Sequence, residues 1–207
     1  MDVRARRIVD RAIELAEKGG FEAVRLRDVA SEADVALGTL YRHFRSKEAL
    51  LIAALTAEVE RLESRMQARP AQGDTALDRA SVFFRAATKG LMRRPRLSRA
   101  ILRAAASGDH ELSDKIAGFH SRVTEIILAV MNGPVVEDGT DASGDNRAVA
   151  VLLQHVWFSC LIAWGGGLMS PDQVIEQMDE AATIAMQGAS RLPRSFDSHG
   201  AAPASTL

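Results

Sequence analysis

Apolar positions recur every three or four residues along most of this chain, and nowhere do they alternate one by one over a useful length. The pattern predicts helices and no strands. A first helix covers residues 4–18, with Ile8, Ala12, Leu15 and Ala16 on one stripe, and Gly19-Gly20 closes it as a glycine C-cap does. Residues 25–33 predict a short second helix with Leu26, Val29, Ala30 and Ala33 facing inward. Asp34 follows it, a residue type that tolerates tight turns. A third short helix spans residues 37–44. Ser46 opens a fourth, because a serine oxygen can accept the free amide hydrogens of a first turn. Leu51, Leu55, Val59 and Leu62 carry that helix on until it stops before Pro70. Residues 75–94, 97–107 and 111–131 predict three more helices, separated by Pro95 and by the Gly108-Asp109 turn. The Gly-, Asp-, Ser- and Thr-rich stretch 132–145 reads as a loop. Helices over 145–164 and 171–187, joined at Gly165-Gly166-Gly167, complete the set, and the tail 195–207 is expected to be disordered. The fold class is all-α, about nine helices, divided as a small unit at 1–47 and a larger helical unit at 48–194.

Composition narrows the class. At 207 residues and 47% hydrophobic, the chain can bury a sizeable core. A net charge of −1 argues against a protein that coats nucleic acid indiscriminately, yet residues 79–108 hold eight basic residues and no acid. The single cysteine, Cys160, excludes an internal disulfide and a cysteine-rich metal site, as expected for a reducing cytoplasm. The first ten residues mix charges and lack the apolar core of a signal peptide. The most apolar run, 148–164, contains Gln154 and His155 and falls short of the ~20 residues that cross a bilayer, so no membrane partner is expected.

Residues 35–50, VALGTLYRHFRSKEAL, stand apart from this background. Three short helices, the second and third joined by a tight turn, make a helix-turn-helix unit whose last helix enters the major groove of double-stranded DNA. Val35, Leu40 and Phe44 pin the third helix, which leaves Leu37, Gly38, Thr39, Tyr41, Arg42 and His43 pointing outward. Gly38 removes a side chain where a DNA backbone or base edge would come close. Thr39, Tyr41, His43 and Lys47 offer hydroxyl, imidazole and ammonium donors to phosphate oxygens.

These residues carry a resemblance. Gly20-Phe21-Glu22, Arg27-Asp28-Val29-Ala30, Ala33-Asp34-Val35, Gly38 through Phe44 and Ser46-Lys47-Glu48 are similar to the DNA-binding signature of the TetR family of transcriptional repressors. The resemblance implies phosphate contacts for Thr39, Tyr41, His43 and Lys47, a guanine contact for Arg27, and base contacts at Leu37 and Gly38. Arg25 departs from it, standing where the family usually has a threonine or serine. Residues 18–24 and 92–104, with Val156-Trp157-Phe158-Ser159 and Ala163-Trp164, further resemble the KstR-like group, repressors of cholesterol catabolism. That resemblance implies a homodimer paired through its last two helices and a small-molecule effector, a steroid-derived acid or its coenzyme A thioester.

The basic stretch suits such a ligand near the mouth of an apolar cavity, with Arg96 for phosphates and Phe83, Leu91 and Met92 for an apolar body. A solvated helix face, or a surface beside DNA, remains open for it. Trp157, Phe158 and Met131 line that cavity or are plain core. Leu153, Trp157, Leu161, Met178 and Ala182 are the expected dimer contacts, because apolar residues occupy more than one face of the last two helices. His110, His120 and His155 lack metal-ligand spacing, and Cys160 has no neighbouring base in sequence. No metal, cofactor or catalytic residue is therefore expected, and the protein is not expected to be an enzyme. A repressor released from a palindromic operator by its effector is the leading expectation. A helical effector- or partner-binding protein with a vestigial DNA-binding part is the alternative.

Overall fold

A computed structural model describes residues 2–133 and 143–189, the side chains of 143–145 excepted. Among the described residues there are nine α-helices and no strand: α1 Val3–Gly19, α2 Leu26–Glu32, α3 Leu37–His43, α4 Lys47–Ala68, α5 Ala76–Met92, α6 Pro95–Ala105, α7 Ser113–Asn132, α8 Ser143–Gly165 and α9 Pro171–Ala189. The disordered tail expected at 195–207 and most of the loop expected at 132–145 lie outside the described residues.

Local chemistry sets the boundaries. Asp2 accepts a hydrogen bond from the Ala5 amide at 2.7 Å and opens α1, and Ser46 accepts from the Ala49 amide at 3.0 Å and opens α4. Thr75 with Asp78, and Ser170 with Gln173, form reciprocal caps on α5 and α9. Asp34 takes a φ of 50° in the turn between α2 and α3, the left-handed conformation that aspartate tolerates. Pro95, read from sequence as a separator, is the first residue of α6, where its missing N–H removes no helical bond.

The helices α2 and α3 pack on α1, which leans on both α4 and α6. The remaining bundle sets α8 between α7 and α9, with α5 against α7 and α9. A single apolar core runs from Ile8 and Val9 to Val174 and Met178. At its centre the rings of Phe83, Phe84 and Trp157 meet edge to face at 5.1–6.1 Å, and the Trp157 indole N–H donates to Thr88 Oγ1 at 3.0 Å.

Two expectations change. The apolar run of α8 is longer than its sequence suggested: Asn146–Gly165 is 20 residues with a mean hydropathy of 1.6, enough for a bilayer by length and composition. It lies instead as a packed helix against α6, α7 and α9. The five residues expected at a dimer interface, Leu153, Trp157, Leu161, Met178 and Ala182, are each at most 5% exposed within the single chain. Their helical phase points them into their own core. The exposed apolar positions are out of phase with them: Leu152 on α8, 52% exposed, and Ile184 on α9, 70% exposed.

Candidate nucleic-acid interface and internal cavity

Leu40 and Phe44 are buried and fasten α3 to the core, so Gly38, Tyr41 and Arg42 are exposed on its outer side. An added Cβ at Gly38 would meet nothing within 4 Å, and its φ is not left-handed, so the fold itself does not require glycine there. The space is open for something outside the chain. Leu37, expected to point outward, is half-buried against the core. Thr39 Oγ1 accepts from Arg42 Nη2 at 3.5 Å, and His43 is half-buried beside Phe44. Lys47 is tethered: its ammonium lies 3.4 Å from Glu22 Oε2 and 3.9 Å over the Phe21 ring. Arg25 sits at the start of α2 without a side-chain cap, so the departure from threonine or serine costs that helix a hydroxyl cap. Arg25, Arg27 and Arg45 are exposed, and their guanidinium groups meet no partner among the described residues.

The larger feature is a cavity of about 650 Å³ enclosed by α4, α5, α6, α7 and α8. Leu55, Val59, Leu62, Phe83, Ile101, Phe119, Val123, Trp157 and Phe158 supply an apolar wall. Arg65, Arg69, Lys89 and Arg93 also line it. All four are exposed, and none of their side chains is paired among the described residues. The Arg65 guanidinium reaches to 3.7 Å from the place a Cβ on Gly90 would occupy, which brings the end of α4 to the last turn of α5. Unpaired forked cations beside an apolar chamber are the chemistry of a ligand with an anionic head and a hydrocarbon body. Of the residues expected here, Phe83, Leu91, Trp157 and Phe158 line the cavity, whereas Met92, Arg96 and Met131 do not. Met131 is fully buried core, and Arg96 turns the other way to donate to the Lys18 carbonyl at 2.5 Å. Arg65 in the last turn of α4 and Arg69 just past its end are cavity residues not expected from sequence, because nothing local to them signals the chamber that the packing of distant helices forms.

That basic stretch divides by helix face. Along α6, Leu97, Ser98, Ile101 and Leu102 look into the cavity. Next to the start of α6, Arg94 pairs with Glu17 of α1 and with Glu58 of α4, the latter at 2.9 Å. Arg103 pairs with Glu22 at 2.9 Å and lies 4.1 Å over Phe21. The ammonium of Lys47 and then the Arg103 guanidinium hold the Glu22 carboxyl below the usual range. Elsewhere Arg79 clamps the end of α7 through the Val130 and Met131 carbonyls, Arg85 pairs with Asp179 of α9 at 2.6 Å, and Arg99 covers the Trp164 ring. Thus α6 has one face in the cavity and, on its other side, grips the end of α1 and the Phe21–Ala23 turn.

Other candidate chemistry is quiet. Burial pushes the Cys160 thiol up, away from a reactive thiolate. No group of three or more metal-binding side chains occurs among the described residues. His110 is exposed, and His120 stacks against His155 at 5.8 Å and contacts Gln154.

Comparison with known proteins gives a consistent picture. The family described as "Bacterial regulatory proteins, tetR family" matches residues 8–54, and "Tetracyclin repressor-like, C-terminal domain" matches residues 73–184. The HTH-type transcriptional repressor KstR of Rhodococcus jostii is 34% identical over 190 residues, covering 92% of this chain and 86% of that protein. A TetR transcriptional regulator from a Rhodococcus species superposes with a TM-score of 0.76 at 25% identity, over 91% of this chain and 97% of the other. The fold is shared by Thermus thermophilus FadR, a TetR-family repressor solved in complex with lauroyl-CoA, with a TM-score of 0.68 at 18% identity, over 95% and 100% of the two chains.

Proposed function

Given that the chain belongs to the tetR family of bacterial regulatory proteins, DNA-binding transcriptional regulators and not enzymes, we propose that it is a repressor released from DNA by an amphipathic anion. The effector class is a lipid- or steroid-derived acid or, better matched, its coenzyme A thioester. One observation carries this: an apolar cavity of about 650 Å³ whose lining includes four cations unpaired among the described residues, Arg65, Arg69, Lys89 and Arg93. A coenzyme A head supplies several phosphates for such cations, and a hydrocarbon body fills the apolar wall. The lauroyl-CoA held by the Thermus fold neighbour supports the same ligand class.

On this reading α3 enters the major groove, with Tyr41, His43 and Thr39 on phosphates and Arg27, Leu37 and Gly38 near base edges. Two such helices must lie ~34–36 Å apart to meet successive half-sites of a palindrome. The chain works in the cytoplasm as a homodimer joined through α8 and α9, where Leu152 and Ile184 leave apolar surface uncovered. The helix α6 supplies the coupling. A ligand that displaces Leu97, Ile101 or Leu102 also moves the arginines that hold Glu17, the Lys18 carbonyl and Glu22. The helix-turn-helix follows α1, and the ligand shifts the population away from the DNA-competent spacing. Arg94 and Glu58 both line the cavity, so a phosphate there also competes with Glu17 for Arg94.

The test is a mobility-shift assay on the DNA upstream of the protein's own gene, followed by addition of lauroyl-CoA. A specific shift that the thioester abolishes supports the reading. No shift above competitor DNA would leave only the vestigial alternative.

A further inference from the structure

Within the apolar wall sits one polar side chain that the proposed function does not use. Gln154 on α8 is 1% exposed and lines the cavity. Its Nε2 lies 2.5 Å from Nδ1 of His120 on α7, and its Oε1 is the one buried side-chain oxygen or nitrogen without a hydrogen-bond partner among the described residues. The surroundings are apolar and aromatic: the His120 ring is flanked by Phe119 at 5.1 Å and Phe158 at 4.9 Å, both of which also line the cavity. An amide left half-satisfied in such a place is destabilising, a cost that a leucine of similar volume would not carry. The imidazole accounts for only half of the amide. With the His120 ring proton on its own Nε2, Nδ1 accepts from the Gln154 amide nitrogen, and Oε1 is left without a partner among the described residues.

Building on the amphipathic-effector reading, we propose that Gln154 Oε1 accepts a hydrogen bond from a hydroxyl carried on the apolar body of the effector. The effector is then an oxygenated hydrocarbon rather than a plain saturated chain. The anionic head is read at the ends of α4 and α5, and the hydroxyl on the α7–α8 wall. A plain acyl chain fits the same chamber but leaves Oε1 unpaired, so the site favours the hydroxylated ligand by the worth of one buried hydrogen bond.

The experiment measures binding of hexadecanoyl-CoA and of a series of hydroxyhexadecanoyl-CoA thioesters, with the hydroxyl moved stepwise from mid-chain to the terminus, by isothermal titration calorimetry. At least one position is expected to bind about tenfold tighter than the unsubstituted thioester, and Gln154→Leu is expected to erase that preference, so that all the thioesters bind the variant alike. If every thioester binds the wild-type protein equally, the hydroxyl site is overturned and the thioester reading stands. If none binds, both fall. A hydroxyl preference that survives in Gln154→Leu would overturn the assignment to Gln154.

Discussion

The arginines around α3 and those around α6 look alike in sequence, short runs of cations among apolar residues, but the fold uses them in opposite ways. Arg25, Arg27 and Arg45 stand exposed without partners among the described residues, and the same unit holds Gly38, a glycine that the fold does not need. Arg94, Arg96 and Arg103 are tied to Glu17, Glu58, the Lys18 carbonyl and Glu22. A cation with no internal partner is available to an external anion, whereas one already paired transmits position. On the proposed function, the first set is a DNA-binding surface and the second a linkage between cavity and α1.

The largest expected effect comes from disturbing the wall that this linkage rests on. Leu161→Arg buries a charge in the core of α8 and should cost about 4 kcal/mol or more, read as loss of cooperative thermal unfolding. Leu152→Arg, one helical phase away, should leave the melting temperature nearly unchanged and yield monomers in sedimentation. If Leu161→Arg gave a folded monomer instead, the phase assigned to α8 would be wrong. Next comes Arg94→Ala, which releases Glu17 and leaves Glu58, only 15% exposed, to Arg61 alone. It should cost about 1 kcal/mol, the loss of a partly exposed pair whose carboxylate keeps a second arginine, in a urea titration. It should also weaken the response of DNA binding to the effector. Full retention of that response would remove Arg94 from the coupling path.

On the other side of the comparison, Arg27→Ala should leave stability within about 0.5 kcal/mol and lose ~1–3 kcal/mol of operator affinity, concentrated at one base pair per half-site. Tyr41→Phe and His43→Ala should instead weaken specific and non-specific DNA alike, as phosphate contacts do. Competition assays with operator variants separate the two patterns. The smallest effect is one of pH. Burial, ahead of the repulsion from His155, holds His120 below its ordinary 6.5, so the unfolded chain takes up that proton first as the pH falls. The contribution of the neutral ring to stability is complete above 6.5 and is lost progressively as pH falls through 6.5 toward the folded value. Melting temperatures taken between about pH 7 and about pH 5.5 should therefore fall less in His120→Phe than in the wild type.

Sequence alone was enough for the α3 region because its signals are local. The Asp34 turn, the Leu40 and Phe44 anchors and the Ser46 cap all lie within a dozen or so residues, and helix boundaries there came within a residue or two. The cavity was legible only in part. Phe83, Leu91, Trp157 and Phe158 were found by chemical type, but Arg65, Arg69, Phe119 and Gln154 come from helices far apart in the chain, and only the packing of α4, α5, α7 and α8 unites them. The dimer residues illustrate the same limit. An apolar helix with two apolar faces does not say which face meets its own core, and a shift of one residue from Leu153 to Leu152 moves from 0% to 52% exposure.

The central claim is that the cavity cations control the grip on DNA. Its most direct test is fluorescence anisotropy of a labelled operator fragment bound by the protein and titrated with lauroyl-CoA, in the wild type and in Arg69→Ala/Lys89→Ala. Both side chains are exposed and unpaired among the described residues, so the double variant should fold and bind DNA as the wild type does. The account predicts release of the fragment from the wild type and a half-release concentration raised about tenfold or more in the variant, the loss of two charge-assisted contacts. Equal release from both proteins, or no release from either, would contradict it.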